Sequence, residues 1–122
     1  MKKFIYYIYL ISTLLTKKNF SSRIKSQNEN KESIFLENFI KKIENQSFIE
    51  FGFHPFEFNT IHLMTKNYSG TLVDANKKNV LFIKLLSFFH NYKTKSICSF
   101  LNKENIIRII NKNYGIFSID ID

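Results

Sequence analysis

Apolar and polar positions divide the chain into an apolar opening, a polar stretch and a region of alternating helical and extended patterns. Met1-Lys2-Lys3 precedes an uncharged run from Phe4 to Leu15, closed by Lys17-Lys18. Twelve such residues fall short of the ~20 that a helix needs to cross a bilayer. A basic start and a short apolar run have the shape of a signal peptide. No small-x-small cleavage pattern follows promptly, however, and the lysine pair stands where one belongs. Residues 1–18 are therefore expected to form an apolar helix that packs on the domain or associates with a membrane surface, with a signal or an anchor as the alternative. Residues 19–32, rich in Ser, Asn and Lys, read as a polar linker.

Periodicity then sets in over residues 33–122. Phe35, Phe39 and Ile43 recur every fourth position, with Leu36 and Ile40 widening the stripe, which predicts an amphipathic helix over 33–45. Ser47 to Phe53 is a short aromatic run of the kind buried on both faces of a parallel sheet. Pro55 lacks the amide a ladder needs, so His54 to Phe58 is a loop, after which Asn59 or Thr60 can cap a helix to about Lys66. Thr71 to Asp74 reads as a second strand. Lys77 to Asn91 is the clearest helix, with Leu81, Leu85 and Phe88 in one row and Phe82, Leu86 and Phe89 in the next. A third strand over Lys95–Phe100, a helix capped by Asn102 and a fourth strand over Ile116–Asp122 complete the series. Strands alternating with helices predict an α/β fold: a Rossmann-like parallel sheet of about four strands with helices on both faces. A length of 122 residues allows one such domain.

Composition changes this picture little. The net charge of +8 comes with Lys, Asn, Ile, Phe and Tyr making up 68 of 122 residues, a skew that AT-rich coding imposes on most proteins. Residues 1–48 hold nine basic and four acidic residues, and 49–122 hold nine and six. A nucleic-acid footprint would be a clustered stripe, so no specific nucleic-acid partner is expected. One cysteine, Cys98, excludes a disulfide framework and leaves no argument for secretion. The expected location is cytoplasmic, with membrane association through residues 1–18 as the variant. His54, His62 and His90 are scattered, and Asp120-x-Asp122 lacks a third ligand, so no metal site is expected.

Ligands of parallel α/β sheets bind beyond the carboxyl ends of the strands. Glu50-Phe51-Gly52, Asp74 and Asp120 converge on that edge. Gly52 and Asp74 are 22 residues apart, near the ~20 expected between a glycine turn and a ribose-binding acid. A carboxylate can accept from both ribose hydroxyls, and glycine lets backbone approach a ligand. Phe53, His54 and Phe56 stand where a dinucleotide site shows further glycines, which argues against a pyrophosphate cradle.

Glu50-Phe51-Gly52, Asn59-Thr60, Ser69-Gly70-Thr71-Leu72-Val73-Asp74-Ala75-Asn76 and Phe117-Ser118-Ile119-Asp120-Ile121-Asp122 resemble, in order and spacing, the motifs of FkbM-type S-adenosylmethionine-dependent methyltransferases. Ser26-Gln27 and the Phe35-Leu36 helix are similar to the family's lead-in, so the resemblance runs from Ser26 to Asp122. It implies the class I methyltransferase fold, with these four strands in the order 3-2-1-4. It also implies that Glu50 and Gly52 form the first cofactor loop, with Asn59 and Thr60 close to it. Asp74 would bind the ribose, Ala75 and Asn76 would sit beside the adenine, and Ser99 and Phe100 would flank its ring. Asp120 would face methyl donor and acceptor as the catalytic candidate. The family continues with a glycine turn and about three more strands that carry most of the acceptor pocket. The chain is thus expected to be a cofactor half, truncated or completed by a partner chain along the free edge of strand four, and not to turn over alone. The acceptor, a small molecule or a glycan, is not specified by these residues. The alternative is a non-catalytic α/β protein that associates with a membrane or a partner.

Overall fold

Four short strands, with aromatic residues only in β1 and β4, pair into one parallel sheet in the computed structural model, which describes residues 1–27, 31–110 and 113–120. The strands are β1 (Ser47–Phe51), β2 (Ser69–Asp74), β3 (Thr94–Cys98) and β4 (Ile116–Ile119), in the spatial order β3-β2-β1-β4. Ser47 of β1 lies opposite Ser69 of β2, and Phe48 lies opposite both Gly70 and Ile116. Among the described residues six helices accompany them: α1 (Lys2–Leu15), α2 (Lys17–Gln27), α3 (Lys31–Ile40), α4 (Ile61–Thr65), α5 (Lys77–His90) and α6 (Lys103–Ile110). The α/β class and the order 3-2-1-4 agree with expectation.

Alternate residues of the central strands enter two cores. Phe48, Leu72 and Ile116 join the larger one with Ile40, Ile61, Leu63, Ile83 and Leu86, all well buried. Ile49, Phe51 and Val73 face the other way, under Leu101, Ile109, Ile110 and Tyr114 around α6. Helices therefore cover both faces, thickly on one and thinly on the other. The edge strands are less protected than continuous burial predicts: Ile97 and Cys98 on β3 and Phe117 and Ile119 on β4 are exposed.

Several element boundaries shift, each for a local reason. The polar stretch after Lys18 is helical in α2, because Phe20 and Ile24, one turn apart, dock it into the larger core. Thr16, extended at φ −134° and ψ 129°, separates it from α1. Tyr9, Leu10 and Leu14 of α1 pack on the same core, so that core reaches well upstream of residue 33. Helix α3 stops at Ile40, although Ile43 still packs inward from the following turn. Strand β1 stops at Phe51 because Gly52, at φ 78°, turns the chain away. On α5 the buried side is Val80, Phe82, Ile83, Leu86 and His90, while the predicted row Leu81, Leu85 and Phe88 faces outward with Phe89. A helix apolar nearly all round carries no periodic cue to its inner face. The predicted end of β4, Ile121-Asp122, lies outside the described residues.

The β1–β2 contact leaves no room at Gly70. A Cβ added there would lie 2.1 Å from the Phe48 ring directly opposite. Gly70→Ala is expected to lower stability by about 2–3 kcal/mol through overpacking, read as a reduced urea midpoint at unchanged slope.

Candidate functional site

Beyond β1 the chain builds strands outward through β2 to β3 and then returns to β4 on the opposite side of β1. The order reverses between β1 and β4, the place where such sheets open a crevice. A cleft of about 770 Å³ lies along the carboxyl edge there. Gly52, Asn59, Asp74, Ala75, Ser99, Phe100 and Asp120 line it, as do Phe53, His54, Glu57, Phe58, Asn79 and Leu101. Seven of the sequence-derived candidates thus meet at one rim. Glu50, Thr60 and Asn76 do not line the cleft.

Backbone hydrogen bonds set the rim. The Gly52 amide donates to the Val73 carbonyl (2.8 Å), Ser99 to Asp74 (2.9 Å) and Asp120 to Phe51 (2.8 Å). The loop after Gly52 sends Phe53, Phe56 and Phe58 into the core, where the Phe53 and Phe58 rings meet at 5.8 Å and the Phe56 and Phe82 rings at 5.3 Å. Phe53 and Phe58 contribute to the wall, yet the cleft stays open because this aromatic bulk is largely core.

Glu50 has the most constrained side chain of the region. It lies inside β1, fully buried, on the face that carries Phe48. Its carboxylate accepts from the Asn59 amide (3.0 Å), the Thr60 amide (2.8 Å) and the Thr60 hydroxyl (2.6 Å). Thr60 stands at the N-cap of α4 but spends its hydroxyl on Glu50 rather than on the helix. Asn59, held by this clamp, donates from its side-chain amide to the Ser118 hydroxyl of β4 (3.1 Å). Burial raises the Glu50 pKa above the ordinary glutamate value. The Thr60 and Asn59 bonds oppose that shift, and the Asp120 charge adds to it. Glu50 therefore positions the β1–α4 loop from beneath the cleft.

Asp74 ends β2 with its carboxylate partly exposed. One oxygen accepts from the Asn76 amide (3.1 Å) and the other from the Asn79 side chain (3.3 Å). Asn76 in turn caps α5 by accepting from the Lys78 amide (3.0 Å). Asn79 also donates to the Phe53 carbonyl (3.2 Å), so it ties the β1 loop to the β2 acid. Sequence reasoning missed Asn79; the only signal is its position in the first turn of the helix that follows Asp74. Cys98 is exposed on β3 beside Ser99, its thiol 3.5 Å from the Ala75 carbonyl.

Among the described residues the wall carries three carboxylates (Glu57, Asp74 and Asp120) and neither Lys nor Arg. A dinucleotide or other polyphosphate finds no cation here to offset its charge, whereas a cationic ligand meets complementary field. Among the described residues no group of three His, Cys, Asp or Glu side chains is arranged to hold a metal ion. No family model matches the chain, and no curated protein or solved structure does either.

Glu50 makes stability pH-dependent with a defined sign. Its folded pKa is raised, so the native state holds this proton more tightly than the unfolded chain. Its contribution is complete below the ordinary glutamate value and is lost as pH rises through the raised one. Glu37, whose pKa is lowered chiefly by its bond to Lys66, acts oppositely and below that window. Urea midpoints taken from pH 5 upward should decline less steeply in Glu50→Gln than in the native chain, and equal slopes would place Glu50 at its ordinary value. Glu50→Ala, which strands three donors, should cost about 2–4 kcal/mol at pH 5, and less as pH rises through the raised pKa.

Proposed function

We propose that the cleft binds S-adenosylmethionine and that the chain is the cofactor-binding half of an FkbM-type methyltransferase. The observation that carries the reading is the partly exposed Asp74 carboxylate, fixed by Asn76 and Asn79 across from the Gly52 turn in a cleft that holds three carboxylates and no Lys or Arg among the described residues. S-adenosylmethionine combines a ribose, which Asp74 can hold by both hydroxyls, with a net positive charge that suits the three carboxylates. Gly52 presents backbone without a side chain to the methionine end, and Ala75, Ser99 and Phe100 offer a small-residue and aromatic surface to the adenine. Glu50 and Thr60 support this arrangement by holding Asn59 in place.

When bound, the cofactor supplies an electrophilic methyl group on a sulfonium. The protein's share is positioning. Asp120, exposed just past β4 with its amide tied to Phe51, is placed to orient an acceptor oxygen or nitrogen and to take its proton. The acceptor would be a small molecule or a glycan. Among the described residues the outer edge of β4 has no neighbouring strand, and it is where further strands or a partner chain would extend the sheet.

Calorimetry on the folded chain tests the reading. Heat of binding is expected at S-adenosylmethionine concentrations up to the millimolar range, with none for a dinucleotide. Asp74→Ala should weaken the affinity by at least about tenfold, or about 1.4 kcal/mol, with unchanged circular dichroism. A folded sample that shows no heat removes the cofactor assignment, and an undiminished affinity in Asp74→Ala removes Asp74 from the site.

A further inference from the structure

Helix α1 is apolar on two opposite sides. Tyr9, Leu10, Thr13 and Leu14 turn inward, with Thr13 buried and its carbonyl 2.8 Å from the His90 ring nitrogen. Phe4, Ile8, Ile11 and Leu15, at helical spacing on the far side, form a stripe that is 67%, 51%, 53% and 68% exposed. Tyr7 borders it, also exposed. A helix that has already docked one face has no structural use for a second apolar stripe in water.

The charge around that stripe states what covers it. Residues 1–27 contain six basic side chains (Lys2, Lys3, Lys17, Lys18, Arg23 and Lys25) and no acidic one, against twelve basic and ten acidic residues in the remainder. Six of the eight net positive charges therefore sit in this segment. Lys2 and Lys3 open α1 and Lys17 and Lys18 follow its end, all four exposed. At 14 residues the helix is about 21 Å long, short of the ~30 Å hydrocarbon layer, and no described helix is long and apolar enough to cross a membrane.

We propose that α1 lies in the plane of an anionic phospholipid surface. Its outer stripe enters the boundary between headgroups and acyl chains, and Lys2, Lys3 and Lys18 pair with lipid phosphates and carboxylates, while Lys17 lies over the Tyr92 ring, 5.4 Å from its centroid. Tyr7 sits at the headgroup level, where amphipathic rings are favoured. No residue of α1 lines the cleft, so this attachment is independent of what the cleft binds.

Flotation of the full chain with phosphatidylcholine–phosphatidylserine vesicles tests the proposal. The chain should rise with these vesicles, stay behind with pure phosphatidylcholine, and detach at about 1 M salt, where the screening length shrinks to about 3 Å. Lys2→Gln, Lys3→Gln and Lys18→Gln should weaken partitioning about fivefold each, the equivalent of about 1 kcal/mol per lysine. Ile8→Asp with Ile11→Asp should abolish it while leaving the circular dichroism spectrum unchanged, since both side chains face outward. Retention in the aqueous fraction with anionic vesicles overturns the proposal. So does a concentration-dependent dimer that the Ile8→Asp, Ile11→Asp variant dissociates, because the stripe would then be covered by a second copy.

Discussion

The Glu50 carboxylate, enclosed within the central strand, is the constraint on which the carboxyl edge of the sheet depends. A buried carboxylate without partners costs several kcal/mol, and here three donors from two consecutive residues surround it. The same bonds give α4 its start. That helix has five residues and no side-chain cap of its own, too few to persist by local propensity. Clamping Asn59 and Thr60 to β1 fixes where the loop re-enters the core, and the Asn59 amide carries the constraint across to Ser118 on β4. The crevice thus owes its shape to an acid that does not touch it.

The order of elements is legible because β1, β2 and β4 are short, largely apolar runs ended by glycine or an acid and alternate with helical stretches rich in apolar residues. Gly52 and Asp74 were legible as a pair from their spacing alone. What escaped has physical reasons. Lys17 to Gln27 looks like linker because only Phe20 and Ile24 are apolar, yet two residues on one face suffice when a core awaits them. The inner face of α5 cannot be read from a sequence with leucine and phenylalanine on almost every side. Glu50 reads as a rim acid by its distance from Gly52, but strand alternation turns it beneath the rim, toward the face of Phe48. Asn79 resembles any polar residue of a first helical turn, and only the fold brings it between Asp74 and Phe53.

Charge is distributed with a purpose that total composition hides. A net charge of +8 suggests a uniformly basic surface. The structure instead sets a cleft walled by carboxylates in one region and a cation-rich helical segment free of acids in another. Fields of opposite sign on one small domain select partners of opposite charge at separate surfaces.

Cys98 gives this arrangement an experimental handle. It is the sole thiol of the chain, exposed on an edge strand and adjacent to Ser99 on the cleft wall. A maleimide fluorophore or nitroxide would attach there stoichiometrically without prior mutagenesis, next to the space a ligand would fill. Occupancy of that space could then be followed optically or by electron paramagnetic resonance in the otherwise unaltered polypeptide.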